Sequence, residues 1–271
     1  MSIVMADMST SVDTFIKFLK EKASKLSGTP KIALIAGALE GPTKRINLIM
    51  DTLKKIGFEF TFKAFDNNAV EEVIEYVKEQ NADDNIFGIY IEEYSFGKNR
   101  QKIADLIHSY KDVGADSSFN KSMYFAEGIG LSPKLWAIKT ILELNGYHLL
   151  SPYTCGVVGV EKECQRIAHY FGSLGATTAM LRPYTIDLQE LAEKMQILVI
   201  NDTSLIPNNR YNKDAIIINT YDAEDKSNIP TVGGMYFNYE TYFSMYCIGV
   251  AWQLFISYIT ITKEEINEND D

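Results

Sequence analysis

Hydrophobic and polar residues alternate along this chain in a pattern typical of proteins that mix helices with buried strands. Over residues 12–26, apolar side chains recur every three or four positions, which predicts an amphipathic helix with Ser11 as its N-cap. The run KIALIAG at residues 31–37 is uninterrupted by polar groups and has the composition of a buried parallel strand. The pattern therefore predicts an α/β fold from its first fifty residues.

The same alternation continues through the N-terminal half. A helix is predicted from Pro42 to Ile56, with Pro42 in its first turn and Gly57 as its C-terminal stop. Further elements are predicted in the order strand 58–65, helix 69–80, strand 85–93 and helix 98–110. Strands joined by helices in this way indicate a parallel sheet covered by helices.

A break in the pattern separates two halves of the chain. Residues 111–130 are rich in Gly, Ser and Asp without a clear period, and we expect the chain to cross into a second unit there. The elements predicted after it are a helix from Ser132-Pro133 to Asn145-Gly146, strand 154–160, helix 161–174, strand 177–181, helix 187–194 and strands 196–201 and 215–220. We predict an N-terminal α/β domain at 1–130, a Rossmann-like domain with a parallel sheet at 131–240, and a C-terminal helix with an acidic tail at 241–271.

The C-terminal segment at residues 242–262 contains no charged side chain and is long enough to span a bilayer. Gln253, several Ser and Thr residues and three tyrosines make it less apolar than a typical membrane span. We expect a helix that packs back across the cleft between the domains or against a partner subunit, and a membrane span stays open as the alternative.

Charge and cysteine content limit the classes of partner. The chain has 26 basic and 36 acidic residues, a formal charge of −10, and nucleic-acid binding requires clustered Lys and Arg, so we expect no nucleic-acid partner. Its three cysteines are widely spaced, which indicates reduced thiols in an intracellular protein, and its three histidines are not at metal-ligand spacing. From this spacing we expect no metal site. No cleaved presequence is recognisable at the N-terminus, so we expect a cytoplasmic or mitochondrial protein.

Four stretches of sequence occur in an order and spacing that match a known family. They are EEVIEYVKEQNADDNIFGIYIEE at 71–93, KDV at 111–113, GATTAMLRPYTIDLQELAEKMQILVI at 175–200 and IPTVGG at 229–234. Together they resemble the bifunctional methylenetetrahydrofolate dehydrogenase/methenyltetrahydrofolate cyclohydrolase family, the FolD type, over most of residues 12–258. The resemblance implies an N-terminal α/β domain, a Rossmann-type C-terminal domain, folate and NADP between them, and a dimer.

This chain departs from the family at the catalytic positions. The family's Tyr-x-x-x-Lys motif falls on Arg45 and Ile49, and the spacing of four places both on one helix face. The resemblance implies that the lysine transfers a proton, whereas isoleucine has no titratable atom and arginine stays protonated. We therefore predict no catalytic residue, unless Lys44 or Arg45 substitutes, and Ile49 is expected to pack under the sheet.

The substrate-site candidates are also altered. The family's strand-end glutamine falls on Glu92, whose neighbour is Glu93, at a strand end where α/β sheets bind ligands. The alternative for these two carboxylates is a solvated loop. The family's pterin-binding aspartate best matches Asp116, after two extra residues are allowed. Of its Pro-Cys-Thr-Pro turn only Ser132 and Pro133 remain, and this pair is also typical of a helix start.

The phosphate-binding turn of the family is replaced by a segment with few glycines. Glu161 and Glu163 lie near the start of the predicted helix, where carboxylates suit the helix dipole and compete with an anionic ligand. The cofactor-binding candidates carry either a glycine backbone or a positive charge: Gly159, Lys162, Arg182, Gly233 and Gly234. We expect no bound cofactor, or NAD or NADP where the chain is a dehydrogenase.

Two functions follow from these sites. The first is a FolD-like protein that has lost catalysis and serves as a binding or structural subunit of a dimer or larger assembly. The second is an NAD(P)-dependent methylenetetrahydrofolate dehydrogenase without cyclohydrolase activity, because hydride transfer depends mainly on positioning. Binding of another small molecule between the domains is a third, less specific hypothesis.

Overall fold

The computed structural model describes residues 4–37, 41–160, 162–205, 211–222 and 234–263. Within them the strands are β1 (Val4–Met5), β2 (Lys31–Ala36), β3 (Glu59–Ala64), β4 (Gly88–Ile91), β5 (Thr154–Val158), β6 (Thr177–Leu181), β7 (Ile197–Ile200), β8 (Ile216–Asn219) and β9 (Met235–Phe237). The helices are α1 (Ser9–Ala23), α2 (Lys44–Ile56), α3 (Val70–Ala82), α4 (Arg100–Ala104), α5 (Ser118–Glu127), α6 (Pro133–Leu144), α7 (Lys162–Ser173), α8 (Leu188–Lys194) and α9 (Tyr239–Thr262). The predicted α/β class is confirmed.

The chain folds into two compact units. One comprises Met1–Thr10 and Ala137–Met245 and contains a six-stranded parallel sheet in the order β1-β9-β8-β7-β5-β6. The other comprises Ser11–Trp136 and Tyr246–Asp271 and contains a three-stranded parallel sheet in the order β3-β2-β4. We call them the six-stranded and the three-stranded unit. The domain ranges given above follow chain order and stay a prediction.

The three-stranded sheet forms around β2, whose apolar residues are buried from Ile32 to Ala36. Next to it, α2 begins at Lys44, because the Thr43 side chain accepts a hydrogen bond from the Ile46 N–H at 3.2 Å. Pro42 therefore precedes the cap and does not occupy the first turn, which corrects the predicted start. The predicted stop is confirmed: Gly57 adopts a left-handed conformation, with φ of 97°.

Three other predicted boundaries differ from the structure, two of them where a side chain caps a helix. The Asp7 carboxylate accepts a hydrogen bond from the Ser9 N–H at 2.8 Å, so α1 begins before Ser11, which lies inside the helix. The helix predicted at 98–110 is a short 3-10 turn followed by α4, which ends at Ala104. The segment predicted as irregular contains α5, whose start is capped by the Ser117 hydroxyl.

In the six-stranded sheet, the order of the strands reverses at β5, which has β6 on one side and β7 on the other. Open α/β sheets bind ligands at such a reversal, outside the carboxyl ends of the strands. The strands β5, β7 and β8 are buried along most of their length, as their apolar runs predict.

The uncharged C-terminal segment forms a single helix of 24 residues, α9. By length and composition it could cross a membrane, but 56% of its most apolar window is buried within the protein. From Tyr246 onward the helix belongs to the three-stranded unit, where Leu254 lies against Gly88 of β4. A core helix of a globular protein has the same apolar composition, which accounts for the pattern.

Candidate functional site

Charged and aromatic side chains collect at the carboxyl end of β4, in the three-stranded unit. The strand ends at Ile91, and the next two residues are Glu92 and Glu93. The first turns of α2 and α6 contribute Arg45 and Lys134, whose side chains bond to Glu93. Parallel strands present their carboxyl ends to a ligand in many α/β proteins, so this is the candidate substrate site.

Glu93 is the centre of this cluster. One carboxylate oxygen lies 2.6 Å from an Arg45 guanidinium nitrogen, and the other lies 2.6 Å from Lys134 Nζ. The side chains of Arg45, Lys134 and Glu93 are only 10%, 7% and 20% exposed. Burial by itself raises the pKa of Glu93, but the charges of Lys134 and Arg45 outweigh it and lower this pKa to about 2. The carboxylate is thus ionised and held on both oxygens.

Aromatic rings surround the Arg45 end of the cluster. The guanidinium carbon lies 5.1 Å from the ring centroid of Tyr94 and 6.0 Å from that of Tyr246, within cation–π range. The Tyr246 hydroxyl is 2.8 Å from the hydroxyl of Tyr90, which is buried in β4. Burial raises the pKa of both phenols, so neither provides a base near neutral pH.

Glu92 does not lie in a solvated loop, which was the alternative for this pair of carboxylates. Its side chain is buried and accepts hydrogen bonds from the Thr43 hydroxyl at 2.5 Å and the Ser95 hydroxyl at 3.2 Å. Both oxygens are therefore used within the protein. The hydroxyl that caps α2 also fixes Glu92, which couples the start of that helix to the end of β4.

Asp116 lies at the same end of the sheet. Its carboxylate pairs with the Arg100 guanidinium, which also donates to the carbonyls of Ile91 at 2.9 Å and Glu92 at 3.1 Å. Arg100 thus joins the two predicted candidates Glu92 and Asp116. Nearby Asp112 is buried and accepts the Asp116 N–H at 3.1 Å, and burial raises its pKa.

The remaining sequence candidates of this unit have structural roles. Ile49 is fully buried, as the apolar pattern of its helix predicts. The Ser132 hydroxyl accepts the Leu135 N–H at 3.2 Å, and Pro133 is the first residue of α6, so this pair starts a helix.

Sequence reasoning missed the residues that hold the cluster together, above all Lys134 and Arg100. One signal for Lys134 is present in the sequence. A lysine in the first turn of a helix is opposed by the helix dipole, so it points to a nearby carboxylate that compensates it. Tyr90 and Tyr246 left no comparable signal, because a tyrosine in an apolar run is ordinary core composition.

The cofactor candidates belong to the six-stranded unit, where the turn after β5 is tightly packed. Gly159 has φ of 150°, and its N–H donates to the Leu181 carbonyl at 3.0 Å. A Cβ atom at this position would lie 3.0 Å from Cys164 Sγ and 3.1 Å from Asn201 Cβ. The turn therefore needs glycine to accommodate the protein's own side chains.

The other cofactor candidates occupy separate positions. Lys162 is the first residue of α7, and the exposed Arg182 follows β6 with its N–H bonded to the Thr185 hydroxyl at 2.8 Å. Gly234 donates its N–H to the Ala215 carbonyl at 3.2 Å. Gly233 and Glu161 lie outside the described residues. Among the residues described, no group of three or more His, Cys, Asp or Glu side chains has a metal-binding arrangement.

Comparison with known proteins identifies the fold. No family model and no curated protein sequence matches the chain. Solved structures do match: a 5,10-methylenetetrahydrofolate dehydrogenase from the silkworm Bombyx mori has a TM-score of 0.81 at 15% identity, over 97% of this chain and 100% of that one. The methylenetetrahydrofolate dehydrogenase-cyclohydrolase (FolD) of Trypanosoma brucei, complexed with NADP cofactor and inhibitor, has a TM-score of 0.82 at 12% identity, over the same shares.

A third match is the NAD-dependent 5,10-methylenetetrahydrofolate dehydrogenase of Saccharomyces cerevisiae. Its TM-score is 0.76 at 13% identity, over 97% of this chain and 100% of that one. Structures with so little sequence identity establish a common architecture, and function is argued from the sites. The chain has the fold of the FolD-type methylenetetrahydrofolate dehydrogenases and cyclohydrolases, as its sequence motifs predicted.

Proposed function

We propose that this chain is a FolD-fold protein without cyclohydrolase activity, which serves as a binding or structural subunit of a dimer or larger assembly. One observation carries the proposal. At the position of the family's proton-transferring lysine the chain has Ile49, which is fully buried, and one helical turn before it Arg45 is bound to Glu93. A general base needs a titratable atom within hydrogen-bond reach of the substrate, and Ile49 has none.

The neighbouring charged groups support the same proposal. Lys134 supplies the amine of the cluster, but its Nζ is engaged by the Glu93 carboxylate at 2.6 Å. Glu92 accepts two hydroxyl hydrogen bonds, and Asp116 pairs with Arg100. These three described groups are thus each bound to another group of the protein, which supports a structural role for the cluster.

The test is an assay of the purified full chain with 5,10-methenyltetrahydrofolate. We expect hydrolysis at the rate of buffer alone, whereas the bifunctional FolD of Campylobacter jejuni, a further solved structure with this fold, serves as the active control. Enzyme-dependent hydrolysis that rises in proportion to protein concentration would show that the reaction survived the loss of the lysine.

A second candidate is a methylenetetrahydrofolate dehydrogenase that lacks cyclohydrolase activity. It is favoured by the match to a dehydrogenase from yeast that is NAD-dependent. Hydride transfer relies on the positioning of cofactor and substrate and does not require the missing lysine. Formation of reduced nucleotide from 5,10-methylenetetrahydrofolate with either NAD or NADP would establish this function in place of the first.

The assembly state is also part of the proposal. The loop after β6 exposes two large apolar side chains, Tyr184 at 97% and Ile186 at 82%. Such side chains are typical of protein interfaces when they cluster. We expect light scattering to give a mass above the 30.6 kDa of one chain, and the Tyr184→Ser/Ile186→Ser variant to lower it.

The matched control for the assembly test is Leu149→Ser, because Leu149 is also strongly exposed, at 71%, but lies outside this loop. It should leave the mass unchanged. A monomer at every concentration, with no partner in a native complex, would contradict the subunit role.

We also propose an intracellular location, cytoplasmic or mitochondrial. All three cysteines are buried and form no disulfide bond, and burial raises the pKa of Cys155 and Cys247 to about 12. Cysteines that form no disulfide bond are typical of proteins in a reducing compartment. Imaging of a tagged full chain tests the proposal, and secretion into the medium would contradict it.

A further inference from the structure

A second site lies where the strand order reverses beside β5. Dinucleotide-binding folds hold a pyrophosphate at such a position, at the start of a helix. In this chain the helix at that point is α7, and its first turn contains Glu163. The carboxylate lies 2.9 Å from a guanidinium nitrogen of Arg166, one turn further along the same helix. A negative group therefore already stands at this positive end of the helix dipole.

Glu163 is firmly held there. Its side chain is 14% exposed and that of Arg166 only 2%, so the pair is removed from solvent. Removal of the carboxylate that compensates a buried guanidinium strongly destabilises the folded state, because it leaves a buried charge less compensated. A phosphate that entered at this point would have to compete with a carboxylate that the fold itself requires.

The floor of the same turn is filled by protein atoms. The space beside Gly159 is taken by Cys164 Sγ and Asn201 Cβ, at 3.0 and 3.1 Å from where a Cβ would stand. The Asn201 side chain accepts a hydrogen bond from the Thr220 hydroxyl at 2.9 Å, and both residues are buried. Side chains that follow β7 and β8 are thereby fixed under the turn after β5.

We infer that this turn is closed to a dinucleotide, with Glu163 as an internal anion at the place where the fold family implies a pyrophosphate. The described residues of this turn do not fit that group. Glu163 already supplies the negative charge at the start of α7, and Cys164 and Asn201 fill the space beside Gly159. The inference does not depend on the proposed function. A nucleotide that binds without turnover would overturn only the inference, and cyclohydrolase turnover without a nucleotide would overturn only the function.

The direct test is thermal unfolding of the full chain with NAD, NADP and inorganic pyrophosphate, each titrated to about 1 mM. A ligand with a dissociation constant near 10 μM would raise the melting temperature by roughly 5–10 °C under these conditions. We expect no saturable rise with any of the three. A saturable rise with NAD or NADP, matched by stoichiometric binding in calorimetry, would overturn the inference.

A variant tests the role of the carboxylate independently. Glu163→Gln should lower the melting temperature by roughly 6–12 °C, because it removes the carboxylate that pairs with the buried Arg166 guanidinium. The matched control is Glu190→Gln in α8. Glu190 lies 2.6 Å from Lys194, but both side chains are more than half exposed, so this variant should change the melting temperature little. A Glu163→Gln protein as stable as the wild type would overturn the internal-anion role. Where this variant does not fold, the wild-type titrations still decide whether the turn is closed.

Discussion

Replacement of Glu93 by glutamine is expected to lower the free energy of unfolding by about 3–5 kcal/mol. Glutamine has nearly the same shape but no charge, so Arg45 and Lys134 would each lose the carboxylate that pairs with them in a largely buried site. Two like charges in a site of low dielectric repel each other. Urea denaturation at neutral pH, followed by circular dichroism, measures the change.

The loss of stability caused by Glu93→Gln should become smaller as the pH falls. The pKa of Glu93 is lowered to about 2 in the folded protein, from an ordinary value of 4.5. A carboxyl whose folded pKa is depressed contributes stability that is fully present above its unfolded pKa and is lost as pH falls through the folded one. This linkage amounts to about 3 kcal/mol. The difference between wild type and variant should thus be constant above roughly pH 5.5 and shrink below pH 4.5.

The matched control for Glu93 is Glu75→Gln. Glu75 also lies 2.6 Å from a lysine, Lys78, but both side chains are more than half exposed, so the pair should contribute less than about 1 kcal/mol. An equal loss in the two variants would mean that burial does not set the strength of the Glu93 cluster. Loss of stability in Glu93→Gln that persists unchanged at pH 3 would contradict the depressed pKa.

The elements that the sequence predicted well are those whose signal is local. The uninterrupted run of β2 and the left-handed stop at Gly57 depend on neighbours within a few residues, and both appear where expected. The same holds for Ile49, whose burial follows from the helical period of α2. The boundaries that differ, such as the start of α1, were decided by single capping bonds of a kind that several nearby residues could make.

The candidate site was less accessible because its bonds join distant parts of the chain. Glu93 bonds to Arg45 and Lys134, 48 and 41 residues away, and periodicity carries no information about such pairs. The family alignment pointed to Glu92, which proved to be bound to Thr43 and Ser95. The residue beside it forms the ion pairs, because successive residues at a strand end point to opposite sides.

This arrangement supports the structural role that we propose for the site. Arg45 and Lys134 start different helices, and Glu93 follows a strand, so one carboxylate fixes three elements of the three-stranded unit. An active site keeps at least one group ready to exchange a proton with substrate. Here Arg45, Lys134 and Glu93 are engaged with one another, so the loss of one charge would leave its partners buried without it.

The second large effect is expected at the crossing of α9 and the start of α6. Gly249 lies so close to that helix that a Cβ would stand 3.0 Å from the Pro133 carbonyl oxygen, 3.1 Å from its Cα and 3.2 Å from the Trp136 ring. Two of these neighbours are backbone atoms, which cannot rotate away, so a larger side chain must push the helices apart. Gly249→Val is expected to cost about 3 kcal/mol, and Gly249→Ala about 1–2 kcal/mol.

A second helical glycine provides the control for Gly249. Gly172 in α7 is exposed, and no described atom beyond its chain neighbours and its own helix backbone lies within 4 Å of its Cβ position. Gly172→Ala should therefore stabilise the protein by about 0.5–1 kcal/mol through helix propensity. The two alanine variants are therefore expected to change stability in opposite directions in urea denaturation. A stabilising Gly249→Ala would mean that α9 and α6 separate at little cost. The uncharged helix would then depend on its apolar surface alone, and not on close backbone contact, for its place in the three-stranded unit.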